Sequence, residues 1–566
     1  MGRTDFLAKM ILCAAASLAG AATFTIPTAG TDAAIQTALA SARDGDTLFF
    51  PAGRYSLSKT ITPKTGLVLA GAGASTSVLA YAAASVLPMV SLTGVSRVEV
   101  RDLGFEGGHA RNAIAASDGG GHLLHHLRVV GFTEATGMIV GIHFTSKVTG
   151  SRIADNAFSG MAVQVEFGGA IRLTGASGHN QVLRNTVDSA GRGGIHLDGS
   201  PGNVISGNTV RHSGLAQAGT NPGLGLEVWG GCDSSLIEDN ILDHWLSVDN
   251  SGFTAVRRNR IGAVDGTYKW AGLEQVGSSH CVFTGNVVDD GAHIGISLSN
   301  KPAKDETYWG FNEIRRASTW AMQMQGEEKG ANRHFFYGNT FAATPGAHPQ
   351  AIYTNQGHAL RFNGNCFHLA FDSNAVTGNG GSALDFMGAL EDLSFTRNSF
   401  SGNGGLSTGA YTGSVLRWEN NSVTGAGAPP AAKGLAKIPQ AAFSGPLAIK
   451  PGETAKFTNQ SRTAAGAAMQ ADAKLLWDFG DGLPSNLLDG AHSFSKDGTF
   501  RVTLIVWETD GQGARAERTI VVGTGTSLAQ HSQTTRMRSP GFTAAPARRF
   551  DLIGRRRYSG PSMTVD

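Results

Sequence analysis

The chain has 566 residues, more than the about 100–200 of an ordinary domain, so an elongated repeat domain with a smaller companion fits better. Its formal net charge of +2 argues against a nucleic-acid partner, which would call for a strong positive field. Charged residues make up 16% of the chain and glycines number 77, a composition typical of strands joined by tight turns.

The N-terminus has the features of an export signal. Arg3 and Lys9 lie in the leading segment, an apolar run follows from Met10, and small residues around Gly20 offer a cleavage site. The run is shorter than the about 20 apolar residues that span a bilayer. We therefore predict a signal peptide over residues 1–21, a secreted or periplasmic location, and no integral membrane segment once the signal is removed. A short buried helix is the alternative.

Three cysteines remain beyond this segment: Cys232, Cys281 and Cys366. An odd, widely spaced trio is neither a disulfide framework nor a zinc-ligand pattern. We predict buried thiols, with a single Cys232–Cys281 bridge as the alternative.

A short unit recurs along the chain, consisting of an alternating strand, a glycine-containing turn and a second strand that ends near an asparagine. Gly193–Val210 and Gly223–Leu242 are two examples. Such units predict stacked coils that pair their strands in parallel and share one apolar core. We expect the asparagine to occupy a tight bend in the left-handed conformation and to bond along the stack. It recurs at positions 156, 185, 208, 240, 259, 286, 312, 339, 365, 398 and 420.

The segment before the coils carries a recognisable pattern. Asp32–Ser41 has the spacing of an amphipathic helix, and GDTLFFPAGRYSLSKTI and LVLAGAGAS follow it. This stretch resembles the opening of pectate-lyase-like β-helix proteins, in which a helix caps the first coil. The resemblance covers roughly residues 24–425. It implies a right-handed parallel β-helix, which we assign to residues 22–425, and an activity of the carbohydrate-active type.

The pattern changes after a Pro/Ala/Gly-rich linker, residues 426–442. The motifs WDFGDG (Trp477–Gly482), HSF and GTFRVTLIVWETD resemble the PKD family, although Phe494 and Phe500 replace its usual tyrosines. We predict an immunoglobulin-like β-sandwich over residues 443–523, so that the fold class of the whole chain is all-β.

The C-terminal segment, residues 524–566, is rich in Ser, Thr and Pro and carries an arginine cluster. We predict a disordered basic tail. Electrostatic adhesion to an anionic polymer is the alternative.

A nearly constant interval before each asparagine identifies one outward-facing residue per coil, with a one-residue variation from a turn insertion. This register predicts a first column of side chains: Arg172, His196, Glu227, Ser247 and Glu274. Two positions further on, the same face carries a second column: Thr174, Asp198, Trp229, Asp249 and Val276.

The carboxylates of these columns are the candidate catalytic groups. Glu227 and Glu274 are expected two coils apart, about 9.6 Å along the stack, as are Asp198 and Asp249. Inverting glycosidases separate their carboxylates by about 6.5–9.5 Å, so the spacing leans towards inversion. An ordinary charged strand face is the alternative.

Two further residues complete the candidate site. His196 beside Glu227 could orient it or transfer protons itself. Arg172 could bind an acidic sugar's carboxylate with two parallel hydrogen bonds.

Aromatic residues are the candidate sugar-binding surfaces, because flat rings stack on sugar rings. Trp229 lies in the second column, and loop insertions carrying Tyr268, Trp270 and Trp309 are predicted to wall a cleft beside it. Packing within the loops is the alternative.

The leading functional hypothesis is a secreted enzyme that cleaves an extracellular polysaccharide, most simply a glycoside hydrolase with paired carboxylates and no metal cofactor. A lyase or uronate epimerase using His196 and Arg172 is a second hypothesis. A non-catalytic polysaccharide-binding or adhesion protein is a third, and Ca²⁺ bridging the carboxylates is a fourth. The sequence leaves the sugar, the linkage and the oligomeric state open.

Overall fold

A computed structural model describes residues 21–523 apart from 135, 218–223, 244, 263–268, 291, 300–305, 350, 352 and 354–356. The predicted basic tail and all but the last residue of the predicted signal peptide therefore lie outside the described residues. Within the described part, no helix is long and apolar enough to cross a membrane.

Parallel strands dominate the chain as far as Thr424 and form three faces that repeat coil by coil. In the described residues, faces 1 and 2 join into a 28-stranded sheet, and face 3 is a separate 15-stranded sheet. Each strand pairs with the equivalent strand of the next coil, so one coil alone would leave its backbone edges and apolar side unpaired.

The strands of face 1 share the polar outer surface that carries the predicted columns. They are Pro88–Thr93, Asn112–Gly120, Val140–Thr149, Gly169–Thr174, Gly193–Asp198, Leu226–Trp229, Leu246–Asp249, Lys269–Val276, Ala292–Ser299, Trp320–Asn332, Leu360–Asp372, Ser382–Met387 and Gly405–Thr408.

From Glu99–Arg101 onwards, the strands of face 2 follow a bend after those of face 1, except in Leu360–Asp372, which runs through both faces. They are Thr23–Thr25, Thr47–Phe50, Val68–Gly71, Glu99–Arg101, Leu123–His125, Arg152–Ala154, Gln181–Leu183, Val204–Ser206, Leu236–Glu238, Ala255–Arg257, Val282–Thr284, Thr307–Gly310, His334–Tyr337, Leu390–Thr396 and Leu416–Glu419.

The strands of face 3 close each coil. They are Gly53–Leu57, Ser77–Tyr81, Gly104–Gly108, Arg128–Phe132, Ala157–Met161, Thr186–Ala190, Thr209–Arg211, Ile241–Leu242, Arg260–Ile261, Val287–Asp289, Glu313–Arg315, Thr340–Ala342, Ala375–Thr377, Ser399–Ser401 and Ser422–Thr424.

The core lies inside these three faces and is filled by the inward residues of each strand. Ile195 and Leu197, for example, are fully buried on either side of His196, and their partners in the next coil are Leu226 and Val228. Cys232, Cys281 and Cys366 are buried and form no disulfide, so the alternative Cys232–Cys281 bridge is not formed.

A ladder of buried asparagines runs along the bend between faces 2 and 3. Its members are Asn156, Asn185, Asn208, Asn240, Asn259, Asn286, Asn312, Asn339, Asn374, Asn398 and Asn421. From Asn185 onwards, each Oδ1 accepts both the backbone N–H and an Nδ2–H of the asparagine one coil before it, as Asn286 does from Asn259 at 3.0 Å. The ladder therefore satisfies buried polar groups that the bend would otherwise leave unpaired.

Two predicted members and the predicted conformation are corrected by the structure. Asn365 lies inside the long strand Leu360–Asp372, and Asn420 lies one residue too early, so Asn374 and Asn421 take these places. The left-handed residue is the one before each asparagine, such as Asp155 and Arg184, because the asparagine itself must turn its amide into the stack.

Truncating one member of this ladder should cost much more than truncating an asparagine outside it. Asn286→Ala leaves the buried backbone N–H of Asn259 without its acceptor, and it removes one hydrogen bond each from Nδ2 of Asn259 and from the carbonyl of Val256. A buried polar group left unpaired costs about 1–3 kcal/mol. We expect a loss of about 2–3 kcal/mol in denaturant unfolding. Asn365→Ala, at a half-buried position outside the ladder, should cost less than about 1 kcal/mol. Equal losses for the two variants would contradict a structural role for the ladder.

An N-terminal helix, Thr31–Ser41, covers the open end of the first coils, as predicted. It buries Ile35 and Leu39 against the β-helix core, which an uncapped end would expose to water. The other described helical element is a single 3₁₀ turn, Leu215–Gln217.

The C-terminal unit is a small two-sheet sandwich. Trp477 and Phe457 lie in its buried core. One sheet contains Phe443–Ser444, Thr454–Asn459 and Gly490–Ser493, and the other contains Ala448–Ile449, Lys474–Asp478, Gly498–Trp507 and Gly513–Val522.

This sandwich packs directly on face 2 of the β-helix. An outward apolar column, Val282, Tyr308, Phe335 and Ala370, meets Leu476, Ile505 and Trp507 in one buried cluster. The segment between the two domains is held at both ends, because Lys433 pairs with Leu416 and the carbonyl of Lys437 accepts from Gln512. The two domains are therefore docked rather than connected by a free linker.

A buried ion pair lies in this docking interface. Arg257 is 1% exposed, and its guanidinium lies 2.8 Å from the carboxylate of Asp478, the aspartate of the WDF motif. The same guanidinium donates to the carbonyl of Gly482 and to the hydroxyl of Thr284. The WDFGDG motif thus supplies a carboxylate and a carbonyl as acceptors for a β-helix arginine.

Candidate active site

Strand register on face 1 brings the residues of the first predicted column side by side. Arg172 pairs with His196, His196 with Glu227, Glu227 with Ser247, and Ser247 with Glu274. Neighbouring members are therefore one coil apart, about 4.8 Å. The second column has the same continuous register through Thr174, Asp198, Trp229, Asp249 and Val276.

Glu227 is held on both oxygens by its neighbours. Arg192 donates from Nε and Nη2, one bond to each oxygen, at 3.1 Å, which is the two-pronged geometry favoured by arginine. His196 Nδ1 lies 2.6 Å from Oε2. The side chains of Glu227 and His196 are only 11% and 12% exposed, so this group of charges and hydrogen bonds is largely shielded from water.

The protonation states follow from these contacts. Burial opposes ionisation of Glu227, but the hydrogen bonds and charges of His196 and Arg192 lower the pKa of its carboxyl to about 2. Burial lowers the pKa of His196, against the opposing effect of Glu227, so its ring is neutral at neutral pH. An ionised carboxylate only accepts hydrogen bonds, so Nδ1 of His196 carries the proton and Nε2 carries the lone pair.

Three buried nitrogens of this region have no hydrogen-bond partner among the described residues: Nε2 of His143, Nε of Arg172 and Nε2 of His196. His143 precedes Arg172 in the first column. Arg172 and His196 line a pocket together with Arg192 and Glu227. Buried polar atoms are normally paired, so unpaired atoms at a pocket are candidates for ligand contacts.

Glu274 lies at the other end of the first column in a different environment. Trp245 and Ser247 donate to its Oε2 at 3.0 and 2.7 Å. Burial, reinforced by the negative charges of Asp249 and Glu227, raises the pKa of its carboxyl to about 7 despite these hydrogen bonds. The two glutamates therefore differ in charge near neutral pH, the condition for separate acid and base roles.

This raised pKa predicts a pH-dependent effect on stability. The carboxyl of Glu274 has a pKa of about 7 in the folded protein, against an ordinary value of 4.5. Its preference for the protonated form therefore stabilises the fold fully below pH 4.5, and this stabilisation is lost as the pH rises through 7. Glu274→Gln keeps an amide oxygen for Trp245 and Ser247 but cannot ionise. We expect it to be more stable than wild type by about 2–3 kcal/mol above about pH 8, with no such gain below about pH 4.5.

The exposed Glu166→Gln variant is the control, and its unfolding should follow wild type at every pH. A Glu274→Gln gain that is the same at low and high pH would contradict the raised pKa. Thermal or denaturant unfolding across the pH range measures both variants.

The second column offers charge and an aromatic face. The guanidinium of Arg172 lies 3.4 Å from the carboxylate of Asp198, and Asp249 accepts a hydrogen bond from the side-chain amide of Asn250. Trp229 lies between these two aspartates in register and is 45% exposed, so its ring is available to a ligand.

The predicted cleft aromatics have different outcomes. Trp270 is half-buried at the start of the strand that carries Glu274. Tyr268 lies outside the described residues. The prediction for Trp309 is wrong, because its strand turns the ring inwards, where it is fully buried and stacked on Phe283 at 4.0 Å.

Three residues of this region are not among those predicted from the sequence. His143 follows from the same rule applied one coil earlier, because it precedes Asn156 by the interval that separates Arg172 from Asn185. Arg192 lies in the turn before its strand. Phe167 lies in a connection between strands, is 42% exposed and packs beneath the Arg192 guanidinium. Strand register therefore identifies neither residue. Within the described chain, no group of three or more His, Cys, Asp or Glu side chains is arranged to hold a metal ion.

Family comparisons agree with the observed architecture. Residues 28–216 match the profile described as rhamnogalacturonase A/epimerase, pectate lyase-like, and residues 169–308 match the right-handed β-helix region. Residues 436–522 match the PKD domain. The chain is a pectate-lyase-like right-handed β-helix with a C-terminal PKD domain. Comparison with curated proteins found no matching relative.

Matches to solved structures have low sequence identity and low TM-scores. The A-module of mannuronan C-5 epimerase AlgE6 from Azotobacter vinelandii is 13% identical over 72% of this chain and 97% of its own, with a TM-score of 0.39. A GH87 α-1,3-glucanase from Streptomyces thermodiastaticus is 14% identical over 72% and 70%, with a TM-score of 0.35. The tailspike of Escherichia coli bacteriophage HK620 is 10% identical over 88% and 89%, with a TM-score of 0.42.

Proposed function

We propose that this chain is an exported enzyme that acts on an acidic polysaccharide by removing the proton beside a uronate carboxylate, the first step of a lyase or an epimerase. The observation that carries the proposal is the His196–Glu227 pair, which leaves Nε2 of a neutral imidazole without a protein partner among the described residues at a pocket. A general base of this kind contributes about 10²–10⁴-fold to a rate.

Glu227 acts as a positioning residue in this proposal. Arg192 keeps it ionised, and its carboxylate holds the Nδ1–H of His196 so that the lone pair stays on Nε2. Both oxygens of Glu227 are occupied, which makes it a poor nucleophile or base. This occupancy is the reason that the paired-carboxylate hydrolase, the leading hypothesis from sequence, becomes the second candidate.

Arg172 lies one coil from His196 on the same column, about 4.8 Å along the stack. In a uronate the acidic proton lies on the carbon that carries the carboxylate, so a base and a cation must reach one sugar unit together. Arg172 can bind the carboxylate and stabilise the negative charge that develops when His196 takes the proton. In a lyase the electron pair then forms a C=C bond and the glycosidic oxygen leaves, whereas in an epimerase a proton returns from the opposite side.

Hydrolysis remains the second candidate because of one observation, the pKa of about 7 at Glu274. A carboxyl group that stays protonated near neutral pH is suited to donating a proton to a glycosidic oxygen. Glu227 lies two coils away, which corresponds to the spacing of an inverting pair.

A panel of neutral and uronic-acid polysaccharides tests the proposal. We expect an acidic polymer to be modified, with either ultraviolet absorbance from unsaturated ends or a change of uronate configuration without cleavage. New reducing ends without absorbance would favour hydrolysis at Glu274 instead. Binding with no chemical change to any polymer would favour the non-catalytic hypothesis and overturn the enzyme. Activity that survives thorough chelation would remove the Ca²⁺ hypothesis.

A further inference from the structure

A second polar and aromatic cluster lies further along face 1, away from His196. Its members are Trp320, Gln323, Tyr353, Arg361 and Asp385, and we call it the distal cluster. Gln323, Arg361 and Asp385 continue the first column on three successive coils. The register from His196 through Glu227, Ser247, Glu274, Ser297 and Gln323 places Arg361 six coils away, about 29 Å along the stack.

The distal cluster contains buried polar atoms without a hydrogen-bond partner in the described residues. They are Nε and Nη1 of Arg361 and Oε1 of Gln323. Arg361 is 9% exposed and Gln323 is 2% exposed, so water compensates them poorly. The nearest counter-charge of Arg361 is Asp385, at 3.5 Å.

The aromatic part of the cluster provides a flat surface beside these groups. The Arg361 guanidinium lies 4.3 Å from the centroid of the Trp320 ring. Tyr353 stacks on Trp320 with centroids 4.9 Å apart and is 45% exposed. An exposed ring next to buried hydrogen-bonding groups is the arrangement that holds a sugar, whose ring has an apolar face and a polar edge.

We propose that the distal cluster is a second binding subsite for the same polysaccharide and that it recognises a sugar unit through its hydroxyl groups and ring face rather than through its carboxylate. This inference rests on the proposed function, because that function supplies the substrate for the groove. Hydroxyl groups both donate and accept, so they can bond Arg361 and Asp385 together. A carboxylate would be repelled by Asp385, which is 4% exposed and therefore poorly screened by water.

The coil spacing relates this subsite to the His196 pocket. One coil advances by about 4.8 Å, a distance similar to the length of one sugar unit. A chain lying along face 1 with one unit at His196 would therefore reach the distal cluster only if it is several units long. The subsite should strengthen the binding of polymers and leave the binding of disaccharides unchanged.

Binding of polygalacturonate, alginate and a neutral β-glucan tests the subsite by gel retardation, with the corresponding disaccharides as short probes. Tyr353→Ala should weaken polymer binding by about 3- to 10-fold, the range expected for one aromatic stacking partner. Disaccharide binding should not change. Leu123→Ala is the control, because Leu123 is equally exposed at 44% but lies on a strand of face 2.

Arg361→Gln separates hydroxyl recognition from carboxylate recognition. If Arg361 contacts sugar hydroxyls, the ratio of wild-type to variant affinity should be the same at low and high salt. If it contacts a carboxylate, salt screens the charge interaction and the ratio should fall as the salt concentration rises. A ratio that falls towards one at high salt would overturn the hydroxyl assignment. Unchanged polymer affinity in Tyr353→Ala and Arg361→Gln would overturn the subsite.

The failure of this inference differs from the failure of the proposed function. Polymer binding that depends on Tyr353 without any chemical change to the polymer supports the subsite and overturns the enzyme. Cleavage or epimerisation by a Tyr353→Ala variant with wild-type KM for the polymer supports the enzyme and overturns the subsite. Absence of binding to all three polymers by wild type would contradict both.

Discussion

Replacing His196 with alanine is expected to lower kcat by about 10²–10⁴-fold, the range contributed by a positioned general base. The variant removes the lone pair of Nε2 and leaves the ion pair of Glu227 with Arg192 intact, so the fold should be retained. Steady-state kinetics on the polymer identified by the panel measures the loss, and thermal unfolding checks the fold. The loss should appear in kcat rather than in KM, because the proton is transferred only in the chemical step.

A surface histidine provides the matched control for this variant. His212 also bonds a carboxylate through Nδ1, 2.7 Å from Asp188, but its side chain is 39% exposed and follows a strand of face 3. His212→Ala should keep wild-type kcat. If His196→Ala and His212→Ala were equally active, His196 would not be the base.

The pH profile gives a second signature of the same group. Burial lowers the pKa of His196 from its ordinary value of 6.5. The imidazole is therefore unprotonated, and active as a base, at pH 6.5 and above and also somewhat below pH 6.5. Glu227→Gln removes the charge that opposes this lowering. It also replaces a group that only accepts with an amide that can either accept from Nδ1 or donate to it, so the tautomer is no longer fixed. We expect this variant to lose less kcat than His196→Ala and to shift the acidic limb of the profile to lower pH. A larger loss in Glu227→Gln than in His196→Ala would instead favour Glu227 as a direct participant.

Replacing Arg257 with alanine is expected to destabilise the docked PKD domain by about 3–5 kcal/mol. The change leaves the carboxylate of Asp478 buried and unpaired in the interface, which costs far more than the intact pair contributes. Denaturant unfolding measures the loss, and limited proteolysis of the segment 426–442 should become faster as the domain undocks.

The next residue in the chain is the control. Arg258 forms ion pairs with Glu238 and Asp239, but its side chain is 47% exposed. Exposed pairs contribute about 0.2–1 kcal/mol, so Arg258→Ala should remain within that range. The double variant Arg257→Ala with Asp478→Ala should recover part of the loss, because no buried charge is then left alone. Equal effects of Arg257→Ala and Arg258→Ala would contradict a docked interface.

Regular spacing made much of face 1 predictable from sequence. Between Asn185 and Asn286 the asparagine marks every coil, so a nearly constant interval predicted the register of the first column. The same rule fails further on, because it predicts Asn365 as the marker of a coil in which Asn374 occupies the ladder. Arg361 precedes Asn374 by the interval already seen in earlier coils, and Asp385 precedes Asn398 by the same interval. The distal cluster was therefore within reach of the rule.

Other features depend on contacts that no local pattern reveals. Trp309 lies next to an insertion, and only the strand direction decides that its ring faces the core. The occupancy of Glu227 depends on Arg192, which lies in a turn outside the strand register. Docking of the PKD domain joins residues far apart in the chain, although the apolar column Val282, Tyr308, Phe335 on an outer face was a signal that something covers it.

Hydrogen exchange at the substrate tests the central claim most directly. The acidic polysaccharide is incubated with the enzyme in deuterium oxide, and the carbon that carries the carboxylate is followed by NMR. We expect wild type and His212→Ala to introduce deuterium or a double bond at that carbon, and His196→Ala to do neither. New reducing ends without exchange or unsaturation at that carbon would contradict proton abstraction and return the site to carboxylate-driven hydrolysis.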